Sequence, residues 1–137
     1  MVIINKESEI WSKIIKPKYP LYKQRIECKG VGDGTPDIML IKKDKRNFFI
    51  EAKAVDKIIQ KGNFHYIKPK IRPSQIRWFL QYPNEACFLI IVKDIQKLII
   101  IDKRFTPLLN EGKFIVFPEK DLLNEEEMLQ KILNYGF

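Results

Sequence analysis

Three side chains of this 137-residue chain could do hydrolytic chemistry together: Asp37 in Gly34-Thr35-Pro36-Asp37, then Glu51 and Lys53 in Phe49-Ile50-Glu51-Ala52-Lys53. Two carboxylates and an ammonium are what a divalent cation needs to activate water against a phosphodiester. Hard cations such as Mg²⁺ take oxygen ligands and keep several waters, so Asp37, Glu51 and a backbone carbonyl, that of Ala52, would suffice to hold one. The cation would acidify a bound water, and Lys53 would orient that water or offset charge on the phosphorane.

Two strands must carry these residues. Ile38 to Ile41 and Phe48 to Val55 read as strands around the polar stretch Lys42-Lys43-Asp44-Lys45-Arg46-Asn47, an antiparallel hairpin. With its turn centred near Lys45, Asp37 lies across from Lys53, and residues two apart share a face, so Asp37, Glu51 and Lys53 converge. The duller alternatives are a turn aspartate after Pro36 and a solvated edge-strand face bearing Glu51 and Lys53.

These residues resemble the PD-(D/E)xK nuclease superfamily, with Pro36-Asp37 as its PD and Glu51-Ala52-Lys53 as its acid-x-lysine, after a glycine-rich lead-in of Gly30, Gly32 and Gly34. Within it the chain is most similar to the small stand-alone VRR-NUC nucleases and the archaeal-type Holliday-junction resolvases. Pro73-Ser74-Gln75-Ile76-Arg77-Trp78-Phe79-Leu80 is similar to the VRR-NUC helix whose glutamine, here Gln75, faces the site. Glu7-Ser8-Glu9-Ile10-Trp11 is similar to the first helix, whose glutamate reaches the metal directly or through water. The resemblance runs from Glu7 to about Lys93, and Asp94 to Phe137 carries no motif.

It implies a restriction-endonuclease-like α/β core, a central mixed sheet flanked by helices, in one domain spanning 1–137. It also implies Mg²⁺ or Mn²⁺ as cofactor and branched or structured DNA as substrate. A four-way junction would require a symmetric homodimer, because two related phosphates are cut by two related sites. A nicking, flap or single-strand nuclease of the same fold is one alternative, and a non-catalytic nucleic-acid-binding protein is another.

Helical spacing bears on which glutamate serves. Ile3, Ile10, Trp11, Ile14 and Ile15 form an apolar stripe, and Glu7 precedes Ile10 and Trp11 by three and four residues, whereas Glu9 falls on the other face. A carboxylate on a core-facing side needs a partner, which a metal would supply, so Glu7 is preferred.

The remaining elements follow from periodicity and punctuation: a helix from about Asn5 to Lys16, strands near Lys23 to Lys29, Asp37 to Lys43 and Asn47 to Val55, then a long polar connection over Lys57 to Arg72. Next come a helix with Ser74 as N-cap that ends before Pro83, strands near Ala86 to Lys93, Lys97 to Asp102 and Lys113 to Pro118, and a closing helix from Asp121 to Leu133. Trp78 and Phe79 read as core rather than base-stacking residues.

A formal charge of +8 and a pI near 9.5 favour a polyanionic partner. Lysine heavily outnumbers arginine, which suits backbone contacts better than base reading. Lys42, Lys43, Lys45, Arg46, Lys68, Lys70, Arg72 and Arg77 are the candidate nucleic-acid contacts, with Lys57 to Arg72 as a clamp and Gly62 its hinge. His65 reads as a surface or nucleic-acid contact. Cys28 and Cys87 form no metal-binding pair, which points to a reducing cytoplasm, and no apolar run is long enough to span a bilayer.

Overall fold

The computed structural model describes residues 2–26, 34–83, 85–110 and 115–135. Its architecture is α/β. Five strands form the main sheet in the order β1-β2-β3-β6-β7: β1 (Lys23–Arg25), β2 (Ile38–Ile41), β3 (Asn47–Val55), β6 (Ala86–Val92) and β7 (Lys97–Asp102). The sheet is mixed, since β3 and β6 run parallel and every other neighbouring pair is antiparallel. A parallel pair needs a long crossover. Here it contains β4 (Ile59–Lys61), β5 (Phe64–Ile67) and a helix, α2 (Pro73–Gln81).

Lys57 to Arg72 is therefore not a polar loop. Its middle is a hairpin in which Lys61 faces Phe64 across a two-residue Gly62-Asn63 turn, and Gly62 takes φ +58° at the tip rather than acting at a hinge. The hairpin pairs with β8 (Ile115–Pro118) into a second, three-stranded sheet, β4-β5-β8. β8 matches the strand expected near Lys113 to Pro118, whose first two residues lie outside the described residues, as do 27–29 of the first expected strand.

The central strands explain the core. All seven residues of β6 are buried, as expected of a strand covered on both faces. On one face Phe48, Ile50, Ala52, Leu89 and Ile91 pack with Ile10, Ile14 and Ile15 of the first helix and with Met128 and Ile132 of the last helix (Glu125–Leu133). On the other, Phe88, Ile90, Ile99 and Ile101 meet Ile76, Trp78 and Phe79 of α2, together with Ile67 and Phe117 of the small sheet. The Phe79 and Phe88 rings stack at 4.0 Å, so Trp78 and Phe79 are core residues.

Three helix boundaries differ from expectation. The first helix winds as a π-helix over Ile10–Ile15, continued by α1 (Lys16–Lys18), and Ile3 lies outside it and is exposed. The cap of α2 is Arg72 rather than Ser74, because Pro73 takes the first helical position, where its fixed φ and missing N–H cost least. The last helix begins at Glu125, four residues late, because Asn124 caps it by accepting from Glu127 N while Asp121 belongs to a preceding 3₁₀ turn. Among the described residues no helix is long and apolar enough to cross a membrane.

Candidate active site

Asp37 sits just before β2, at the point where β3 continues past its hairpin partner to pair with β6. Ile38 faces Ile50 and Ile41 faces Asn47, so the next position sets Asp37 opposite Glu51, not Lys53. The turn is centred one residue earlier than expected. Lys42 N donates to Arg46 O and Lys45 takes φ +71°, which closes the hairpin around Asp44. The shift preserves the convergence, because Asp37 still shares a face with Glu51 and Lys53. Ala52 N donates to Asp37 Oδ2 at 3.3 Å across the end of the hairpin.

Glu51 is 1% exposed and Lys53 8%, so neither belongs to a solvated edge strand. Burial of an acid without a cation favours its neutral form. Burial pushes the Glu51 carboxyl up to about 10, reinforced by a hydrogen bond to Asp37 and by the Asp37 charge, with Lys53 pulling the other way and Glu7 adding to the rise. Its second oxygen, Oε1, is buried with no hydrogen-bond partner. An unmatched buried carboxyl oxygen beside a second carboxylate is an arrangement that a hard cation would satisfy. Among the described residues no three of His, Cys, Asp and Glu are grouped closely enough to hold an ion by themselves.

The turn before the first helix contributes the third acid. Glu7, Ser8, Trp11, Arg25, Asp37, Ile38 and Ala52 line a pocket of about 80 Å³ at the end of β2. Glu7 itself is exposed rather than core-facing, since it precedes the helical winding, but it lies close enough to add to the rise of the Glu51 carboxyl. Glu9 is committed elsewhere: its Oε1 accepts from Asn5 N at 2.7 Å and from Lys6 N at 3.2 Å, and its Oε2 pairs with Lys13 at 2.7 Å. Arg25 was not singled out from the sequence. It faces Ile38 across β1 and β2 and lines the pocket, a placement that only strand pairing reveals.

Gln75 is buried, yet its Oε1 accepts from Arg72 N at 3.0 Å, closing the first turn of α2. Its tie to the site is through the main chain. Gly34, at φ +93°, lies against the Ser74 carbonyl and Gln75 N, so the segment leading to Asp37 is seated on the start of α2. Gly30 and Gly32 of the glycine-rich lead-in lie outside the described residues.

The basic candidates divide. Lys43, Lys45, Arg46, Lys68, Lys70, Arg72 and Arg77 are exposed. Lys42 is fully buried and is withdrawn as a nucleic-acid contact: its ammonium pairs with Glu85 and donates to Tyr135 O at 2.9 Å, tying the β2–β3 turn to the end of the chain. Arg46 pairs with Asp44 at 2.7 Å and with Glu85 at 3.1 Å. Arg46 is five residue steps from Glu51 along the strand, roughly 17 Å, so this turn cannot grip a group held between Asp37 and Glu51. His65 is buried beneath β5 with both ring nitrogens unpartnered and its ring edge-on to Phe117, so it is not a surface contact.

Lys42→Ala should cost about 1–3 kcal/mol, the penalty for stripping a buried partner from Glu85 and Tyr135 O. Urea unfolding will measure it. Lys43→Glu with Lys45→Glu, at exposed positions of the same turn, should cost far less.

No protein-family model and no curated protein matches this chain.

Proposed function

We propose that the chain is a metal-dependent nuclease of the PD-(D/E)xK type, with a restriction-endonuclease-like core, hydrolysing phosphodiester bonds in branched or structured DNA. The observation that carries this reading is the unpartnered Oε1 of Glu51, buried in the middle of the sheet beside Asp37 and Lys53. A fold keeps a buried acid in that state only at a cost in stability, and a cation offsets the cost.

Mg²⁺ or Mn²⁺ fits the oxygen donors. Asp37, Glu51 and the Ala52 carbonyl would hold it, with Glu7 reaching it directly or through water. When bound, such a cation lowers the pKa of a coordinated water and offsets negative charge on the phosphoryl oxygens. Lys53 supplies a fixed ammonium on the same face, suited to hold the attacking water or to stabilise the charge that builds as the P–O bond breaks. Arg25, beside Glu7 and Asp37, is placed to hold a phosphate oxygen, for which a guanidinium is the best-matched donor. Gln75 supports this set by fixing the turn of α2 on which the Asp37 segment rests.

The exposed lysines and the net charge of +8 suit a substrate recognised by its backbone and shape. On this reading the partner is DNA in a cytoplasmic compartment of a cell or host cell, and cutting of a four-way junction would be the work of a homodimer.

The test is cleavage of labelled four-way junction, flap, duplex and single-stranded DNA with Mg²⁺, Mn²⁺ or EDTA, comparing the native chain with Asp37→Ala. Metal-dependent cutting that Asp37→Ala abolishes is the expected result. Paired symmetric cuts in the junction would identify a resolvase, and one-sided cuts a flap or nicking enzyme. Tight binding without cutting in any metal, unaltered in Asp37→Ala, would overturn the reading in favour of a binding protein.

A further inference from the structure

The small sheet has an outer face that the site chemistry does not use. Strand alternation sends His65, Ile67 and Phe117 inward, and it turns Ile59, Lys61, Phe64, Tyr66, Val116 and Pro118 outward. The register aligns them in two rungs, Ile59–Tyr66–Val116 and Lys61–Phe64–Pro118. A solvated sheet face is normally polar. Here Ile59, Phe64 and Val116 are each 51% exposed, and Tyr66 is half-buried between Ile59 and Val116.

The charge around this face is basic. Lys61 stands on it, and Lys57, two residues before β4, and Lys70, three residues after β5, are both exposed and close enough to act on the Asp56 carboxylate, which is itself paired with Lys93 at 2.7 Å. Flat aromatic surface bordered by lysines is the combination that holds unpaired nucleic-acid strands, with bases on the rings and phosphates on the ammonium groups. Phe64 and Tyr66 are two residues apart on one strand, roughly 7 Å, about twice the 3.4 Å rise per nucleotide of a duplex strand, so bases on both rings require an unstacked strand.

We propose that the outer face of the β4-β5-β8 sheet is a stacking platform for an unpaired nucleic-acid strand, with Phe64 and Tyr66 beneath successive bases and Lys57, Lys61 and Lys70 on the phosphates. This deepens the nuclease reading by naming an unpaired strand as part of the substrate. Its binding readout needs no cleavage, so the two stand or fall separately.

Anisotropy titrations in EDTA would compare fluorescein-labelled dT15, U15 and a 15-base-pair duplex, for the native chain, Phe64→Ala, Phe64→Trp and Phe64→Ala with Tyr66→Ala. Loss of one stacking ring should weaken single-strand binding about 5- to 150-fold and loss of both should weaken it further, while the duplex is little affected. Phe64→Trp should retain binding and show its indole emission quenched by the strand. An equal effect on dT15 and U15 supports a platform blind to the sugar, and an effect confined to one of them supports it with that strand as ligand. Unchanged single-strand affinity in both alanine variants, with melting curves showing them folded, would overturn the proposal. So would equal losses for duplex and single strand. Sedimentation that shows a native dimer and a Phe64→Ala monomer, with no change in oligonucleotide affinity, would assign the face to a second copy of the chain instead.

Discussion

Glu51→Gln should give a protein that no longer cuts DNA and that melts at a higher temperature than the native chain in EDTA at pH 8. The first part follows from removing a charged oxygen donor, which should lower the rate by at least about 100-fold, more than loss of a supporting group costs. The second follows from linkage. The Glu51 carboxyl rises from 4.5 to about 10 on folding, first because it is buried and then because of Asp37. Below about pH 4.5 it is protonated folded or unfolded, and it costs nothing. As the pH rises towards 10 the unfolded chain releases this proton while the fold retains it, so native stability declines across that interval.

A glutamine in that position has no proton to lose, and its amide can still donate to Asp37. The expected gain is about 1–3 kcal/mol at pH 8, a discounted value for the linkage cost of keeping the Glu51 carboxyl protonated well above its unfolded pKa. For a chain of this size that amounts to a rise of about 2–8 °C. The gain should shrink at pH 5 and widen at pH 9. Adding Mg²⁺ should raise the melting temperature of the native chain by mass action, with release of the Glu51 proton, and should leave Glu51→Gln where it was. Thermal melts at the three pH values with EDTA or Mg²⁺ provide the check. A variant that melts at or below the native chain in EDTA at pH 8 would show that Glu51 is not held unfavourably.

Much of the site's frame was legible because it is local. The β2–β3 hairpin follows from two apolar runs around a polar turn, and β3 and β7 have the bounds their patterns predict. The centre of the turn lies one residue earlier than the pattern suggests, which moves the register by two, because Lys45 adopts a left-handed conformation that no glycine announces. The β4-β5 hairpin was hidden by the lysines that flank it, Lys57, Lys68 and Lys70, although Gly62-Asn63 between Ile59-Gln60-Lys61 and Phe64-His65-Tyr66 is a turn signal of ordinary strength.

What could not be read is what depends on distant partners. Lys42 looks like any surface lysine of a basic turn, and only Glu85 and Tyr135, the latter 93 residues away, make it a buried strut. Arg25 joins Asp37 through strand pairing. The burial of His65 depends on β8, which is itself the most distant strand of its sheet.

Gly34→Ala should be far more damaging than an added methyl usually is. At φ +93° a side chain is disfavoured in itself, by roughly 1–2 kcal/mol for a left-handed residue. Here the space is also taken. A Cβ at this position would lie 2.2 Å from the Ser74 carbonyl oxygen, 2.5 Å from its carbon and 3.1 Å from Gln75 N. These are main-chain atoms in the first turn of α2, held by Pro73 at the first helical position and by the Gln75 to Arg72 hydrogen bond, so no side chain can swing aside to make room. Either α2 or the segment leading to Asp37 must move. A destabilisation of more than about 2 kcal/mol in urea unfolding is expected, and cutting should fall with it, because Asp37 lies three residues from the displaced point.

Gly62→Ala is the control. Gly62 also has a positive φ, +58°, but a Cβ there meets nothing within 4 Å, so its cost should stay near 1 kcal/mol with cutting unchanged. If the two variants were equally stable and equally active, Gly34 would not be seated on α2. A large loss in Gly34→Ala alone would mean that the glycine before Pro36-Asp37 serves close approach rather than flexibility: it lets the loop bearing one carboxylate rest directly on the helix that covers the other.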